Sequence, residues 1–413
     1  MKNLLVIGYV WPEPDSSAAG SRMMQLLEFF LAENYEITFA STAHKTPFMA
    51  DLKELDILTE EIAVNDPDFD RFLYKLNPEI VLFDRFMIEE QFGWRVEKIC
   101  PDAIKILDTE DLHFLRNARM EAQKWQLSAK SIYMDSDLTK REIAAIYRSD
   151  LSLIISEVEL KILQSDFRIS KNILLYLPFM LNPVSEEEIQ QSPSFNNRSH
   201  FISIGTFKHK PNWNAVLQLK QHIWPLIRKE LPEARIYIYG SYPTKKVHDL
   251  NSPETGFLVK GRADSAHEVM KKARVCLAPL QFGAGLKGKF IDAMRCGTPS
   301  VTTRIGAEGI SDGNIWGGFI ENNNEAFAEK AVELYRNREV WEKAQSDGFS
   351  IINSRFPKEI FEQIFREKLQ KIKKQLIYHR KSNFIGAMLR HHLHKSTFFM
   401  SKYIQEKNKK TAD

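Results

Sequence analysis

At 413 residues, with 43% hydrophobic and 27% charged side chains and a net charge of +3, the chain has the composition of a soluble globular protein with two domains of about 200 residues each. No run approaches the roughly eighteen consecutive apolar residues of a membrane-spanning helix, and three cysteines (Cys100, Cys276, Cys296), an odd number without metal-ligand spacing, point to a reducing, cytoplasmic setting. The modest net charge hides an asymmetry: residues 366–413 hold thirteen Lys and Arg against three acids, so this tail carries +10 and the rest of the chain −7.

The N-terminal "NLLVIGYV" reads as a buried strand and not a signal peptide, because Trp11, Pro12 and Glu13 follow where small residues would mark cleavage. An amphipathic helix comes next, with Met23, Leu26, Leu27 and Phe30 at helical spacing, then a strand "YEITFAST". After an irregular stretch, "EIVLFD", "AIKILD" and "LSLIISE" are further buried strands with helices between them. Strands alternating with helices predict a parallel sheet covered on both faces.

Residues 183–200, polar and with prolines at 183 and 193, are the best linker candidate. Beyond them the pattern restarts with strands "HFISIG", "ARIYIYG", "GFLVKG", "RVCLAPL" and "PSVTTR" separated by helices. The expected organisation is an N-terminal Rossmann-like domain (1–182), the linker, a second Rossmann-like domain (201–355), a helix crossing back (356–378) and a basic amphipathic tail (379–413).

The chemistry concentrates in "LAPLQFGAGLKGKFIDAMRCGTPSV". Gly283, Gly285 and Gly288 fit a G-x-G-x-x-G loop, which on its own is weak. It follows the fourth strand of the second domain, whereas a nicotinamide fingerprint follows the first. Lys287 and Lys289 flank the start of a helix, where unpaired N–H groups and the positive end of the macrodipole already favour an anion, so the loop suits a diphosphate. Asp292, one turn further in, is placed to accept hydrogen bonds from a ribose. Without a ligand the same residues are a tight turn and a solvated face.

This stretch resembles the donor-binding signature of glycosyltransferase family 4, the retaining GT-B enzymes, in the branch whose loop reads F-G-A-G-x-K-x-K. "FISIGTFKHKPNWNAV", with Gly205, Pro211 and Asn212, is similar to the opening of the same domain, and "WPEPDSSAAGSRMMQLLEFF" resembles the family's first loop. The likeness implies an α/β GT-B fold and a metal-independent enzyme that takes a nucleoside diphosphate sugar, UDP-linked first and GDP-mannose second, and passes the sugar to a glycan, lipid-linked or protein acceptor. It calls for no cofactor and no nucleic acid. A non-catalytic nucleotide-sugar-binding partner, or an epimerase of the same fold, is the alternative. One departure stands out: the family's E-x7-E pair becomes Ala284 and Asp292.

With the resemblance, Gly20, Arg22, Gly205, Gly283, Gly285, Lys287, Lys289, Asp292 and Glu308 are placed on the donor, and Lys208 and Lys210, which follow the strand "FISIG", could reach the same diphosphate. The acidic strand ends "LFDRFM" and "ILDTEDLHF" offer Asp84, Asp108, Asp111 and His113 to the transferred sugar or the acceptor, with Lys287 completing the catalytic set; Asp108 equally suits a helix N-cap. In the tail, Ile385, Leu389, Leu393, Met400 and Ile404 fall on one helical face with basic residues around them. That pattern suits either contact with an anionic membrane or packing on the N-terminal domain or on a second subunit.

Overall fold

Apolar runs without alternation become strands buried on both faces. The computed structural model describes residues 2–313 and 315–409. Strands β1 (Asn3–Gly8), β2 (Glu36–Ser41), β3 (Leu58–Glu61), β4 (Ile80–Asp84), β5 (Ile104–Asp108), β6 (Leu151–Ile154) and β7 (Leu174–Tyr176) form one sheet in the order β3-β2-β1-β4-β5-β6-β7. Strands β8 (Ser199–Ile204), β9 (Ile236–Tyr239), β10 (Phe257–Gly261), β11 (Ala273–Ala278), β12 (Ser300–Thr302) and β13 (Gly318–Ile320) form a second, in the order β10-β9-β8-β11-β12-β13. Every pairing of these strands is parallel. Both sheets reverse direction beside their first strand, so each has a switch-point crevice at its strand C-termini, the place where such sheets take ligands.

β3, β7 and β13 were not expected. β3 ("LTEE") is a largely exposed edge, and β7 and β13 have three residues each, too few to show a period. The stretch 183–200 contains the short helix Glu186–Gln191, closed by a capping box between Ser185 and Glu188, and β8 starts inside it at Ser199.

The chain crosses between the domains twice, side by side. Leu181 N–H donates to Phe356 O (2.9 Å) and Lys358 N–H to Leu181 O (2.9 Å). Helix Lys358–Lys374 then returns to the first domain and buries Phe365, Leu369 and Ile372 among its core residues; Phe365 stacks on Phe29 at 4.6 Å.

The tail continues as helices Leu376–Ser382 and Phe384–Lys409. It docks on the first domain through polar groups: Arg380 pairs with buried Asp150 (2.7 Å), Asn383 Nδ2 donates to Tyr147 O (2.7 Å) and Arg390 Nη1 to Arg148 O (3.0 Å). The inward face carries Gly386, Ser401 and Gln405, all buried, because a small residue lets the helix approach the Tyr147 carbonyl. This corrects the expected face: Ile385 and Met400 are exposed, Leu389 and Ile404 are half-buried, and the Leu393 side chain lies outside the described residues, as do residues 410–413. Among the described residues no helix is long and apolar enough to cross a membrane.

Candidate active site

The two switch-point crevices face each other. On the second domain, the loop after β11 runs through Gly283 and Gly285 into helix Gly288–Arg295, with Lys287 at its N-cap position. Gly285 has φ +62°, and a Cβ there would come within 2.8 Å of Asp111 Cβ on the opposite domain, so a side chain would force the domains apart. At Gly288 a Cβ would lie 2.5 Å from Ala18 Cβ, at the start of the first domain's first helix. Glycine thus brings the loop and the first domain into direct contact.

Lys287 Nζ folds back to donate to Gly285 O (2.9 Å), and Lys289 Nζ donates to Asn212 Oδ1 (2.9 Å) beside Gly205. Burial holds both ammonium groups down to about 8, since the charged form loses solvent. Glu308, Glu159 and Asp111 partly offset this for Lys287, while Lys289 meets a neutral amide. Asp292 sits one turn along at the rim, partly exposed, with Oδ1 3.3 Å from His267 Nε2.

Other expected donor contacts are engaged elsewhere. Glu308 commits both carboxylate oxygens to Arg119 (2.8 Å each), which also donates to Gly283 O (2.8 Å). Lys208 lies over the Tyr242 ring, 3.4 Å from its centroid, and Lys210 is exposed on the first turn of helix Lys210–Gln218. Gly20 is packed against the Glu13 backbone with its N–H already capped by Ser17 Oγ (3.0 Å). Arg22 is buried: Nε and Nη2 donate to Asp108 at 2.8–3.0 Å and Nη1 to Leu177 O at 2.7 Å. Arg22 and Asp108 thus form a buried pair that ties the first helix to the ends of β5 and β7.

On the first domain, Asp84 is the register partner of Asp108 at the sheet's edge of the cleft. Its Oδ2 accepts from Tyr9 N–H (3.0 Å), while Oδ1 is buried without a hydrogen-bond partner, 3.5 Å from Arg85 Nε. Burial raises its pKa, opposed by Arg85 and reinforced by Asp108. Glu110, in the left-handed region at φ +60°, is pushed well up by burial and by Asp108. Asp111 goes the other way: burial works against its charge, but Arg116, His113 and His209 outweigh it and hold it at about 2. His113 Nδ1 lies 3.2 Å from Asp111 O and 3.5 Å from Glu142 Oε1, and the ring meets Phe86 edge-on. The cleft thus brings together Asp84, Asp111, His113, Gly283, Gly285 and Lys287, with Gly205, Lys289 and Asp292 along the second domain's wall.

Sequence reasoning missed the residues that join the walls. Buried Glu159 accepts from Leu112 N–H (2.9 Å) in its own domain and from Gly285 N–H (2.8 Å) across the cleft, with Oε1, leaving Oε2 buried and unpartnered. Burial and the charge of Asp111 raise its carboxyl to about 8. His209, facing Asp111 and Arg116 from the second domain, is lowered to about 4 by burial and by Arg116, so it is neutral. Nothing in a single sequence marks Arg119, whose contacts to Glu308 and Gly283 O lie across the interface. Glu159 follows a strand end, where a cleft residue would be sought, and that position was its one signal.

Comparison with known proteins bears on this geometry. Residues 198–337 match the family model for glycosyl transferases group 1. A curated Klebsiella pneumoniae protein, an uncharacterized 44.6 kDa protein in the cps region, is 24% identical over 174 residues, covering 40% of this chain and 45% of the relative, so the chain spans less than half of that protein. Among solved structures, Anabaena HepE in complex with UDP and glucose is 12% identical with a TM-score of 0.66, over 90% of this chain and 99% of HepE. A mutant of TarM from S. aureus, in complex with Fondaparinux, alpha-GlcNAc-glycerol and UDP, is 15% identical with a TM-score of 0.56, over 74% of this chain and 58% of TarM. The fold is GT-B, and residues 198–337 of its second half carry the match to glycosyl transferases group 1. The family match ends at residue 337 and begins at 198, so the first domain is tied to these proteins by fold.

Proposed function

We propose that the protein transfers a glycosyl group from a nucleoside diphosphate sugar to an acceptor hydroxyl in the cleft between its domains, with retention of configuration. The observation that carries the reading is the pair Lys287 and Lys289 at the start of helix Gly288–Arg295, with Lys289 hydrogen-bonded to a neutral amide and so free to neutralise an anion. UDP is the first choice of nucleotide, supported by its presence with HepE and TarM, with GDP-mannose the second. Asp292 is assigned to the ribose and Asp84, with its unpartnered buried oxygen, to an acceptor hydroxyl. The reading calls for no cofactor beyond the donor.

In the transfer, the bond between the anomeric carbon and the diphosphate oxygen breaks with its electron pair going to that oxygen, and the acceptor oxygen bonds to the same face of the carbon. The acceptor's proton passes to the departing phosphate oxygen, so no protein base is required. Lys287 and Lys289 stabilise the charge growing on the leaving group, a contribution that matters more in a water-poor cleft. A glycan acceptor, lipid-linked or otherwise, fits the reading.

A thermal-shift panel of UDP-, GDP-, TDP- and ADP-sugars tests the donor class: binding at one hundred times Kd raises stability by about 2.7 kcal/mol. Stabilisation by one nucleotide family supports the assignment, and none by any of the four removes it.

A further inference from the structure

The C-terminal helix Phe384–Lys409 packs Phe398 edge-on against Trp94 of the first domain and turns its other aromatic rings outward. With its inward face occupied by Gly386, Ser401 and Gln405, the opposite stripe presents Phe384, Met388, Phe399 and Tyr403, which are 76%, 47%, 66% and 66% exposed. These positions recur at helical spacing, so they lie along one side of the cylinder for about 28 Å at 1.5 Å per residue. Of the twenty exposed large apolar or aromatic residues among the described residues, eight fall between Ile377 and Tyr403. A surface concentration of this kind marks an interaction site more often than chance exposure.

Basic groups are interleaved with the rings. Lys395 and Lys402 lie on the same stripe and are exposed, as are His391 and His392 beside it and Lys381 on the preceding helix. Between residues 376 and 409 the sequence has one acid, Glu406. Aromatic and apolar side chains set among lysines are the composition of a helix that lies in the interface of a bilayer, its rings at the headgroup–acyl boundary and its ammonium groups on anionic lipid.

We infer that this outward face docks the protein on an anionic lipid bilayer, with the helix lying in the plane of the surface. Charge selects the occupant. The tail carries +10 and the body −7, so an anionic surface attracts the molecule tail first and repels the rest. A second copy packed face to face would set Lys395 and Lys402 against a basic stripe of the same sign. The polar clasp through Arg380, Asn383 and Arg390 holds the helix in place, so the docking face is formed before it meets lipid. The inference rests on this surface alone and is independent of the transfer reaction.

The test is co-sedimentation of the full chain with vesicles of phosphatidylcholine and with vesicles of phosphatidylcholine and phosphatidylglycerol. Two variants accompany it, Phe384→Ser with Phe399→Ser and Lys395→Glu with Lys402→Glu, all at exposed positions and each checked for an unchanged melting curve. The full chain is expected to pellet with the anionic vesicles, less so as salt rises, and each double variant to lower the partition coefficient at least about tenfold. The inference is overturned by failure to pellet at low salt, by pelleting indifferent to lipid charge, or by equal pelleting of the variants. It is equally overturned if sedimentation velocity finds a dimer that the variants dissociate while vesicles bind nothing.

Discussion

Glu159 and Gly285 belong to different domains, yet the carboxylate of the first accepts the backbone N–H of the second at 2.8 Å. The same oxygen accepts from Leu112 N–H, so one buried acid fixes the start of a first-domain helix and the glycine loop together. Its pKa, raised from 4.5 to about 8 by burial and by Asp111, gives the contact a pH signature. The folded chain keeps a proton that the unfolded chain has released, so this contribution to stability is full below about 4.5 and lost as pH rises toward 8. Stability should therefore fall by up to about 1.4 kcal/mol per pH unit across that window, and Glu159→Gln should remove that part of the slope. Denaturant titrations of both proteins at several pH values check this; identical slopes would remove Glu159 as the source.

Asp108→Asn is expected to weaken folding rather than catalysis alone. It leaves the Arg22 guanidinium buried without its counter-charge, and breaking a buried pair in this way costs about 3–5 kcal/mol. Thermal and urea unfolding should show the loss before any substrate is added. A variant with wild-type stability and no turnover would return Asp108 to the reacting groups.

Donor affinity should fall above pH 8. Lys287 and Lys289 titrate at about 8 in the free protein, and a bound diphosphate favours their protonated forms. Above that pH binding must draw protons from solvent, weakening by about tenfold per pH unit for each lysine that takes one up. Calorimetry in buffers of different ionisation enthalpy should register proton uptake at pH 8.5 and little at pH 6.5, a contrast that vanishes if neither lysine meets the diphosphate.

Much of the architecture was legible because strands such as β1, β4 and β5 are apolar on both faces and the helices between them keep a 3.6-residue period. The edge strand β3 and the three-residue β7 and β13 carry too little pattern to be seen. Gly285, Lys287 and Lys289 could be read because loop, helix start and charge are contiguous in the chain. Arg22 and Asp108 could not: both suggest cleft chemistry, and only the fold shows them meeting across 86 positions in the interior. The tail misled for a related reason. Apolar residues usually mark the buried side of a helix, but here Gly386 and Ser401 make much of the contact, Phe398 meets Trp94 of the first domain, and Phe384, Phe399 and Tyr403 face out.

The central claim is that the lysines after the glycine loop stabilise a departing nucleoside diphosphate, and release of that product measures it directly. Wild type and Lys287→Ala are to be compared by steady-state formation of free nucleoside diphosphate from the donor that the thermal-shift panel selects, with acceptor present. The account predicts a loss of about 10²–10³ in kcat for the variant, the scale of removing one preorganised electrostatic group, with the melting temperature retained. Wild-type kcat/KM in Lys287→Ala would contradict it.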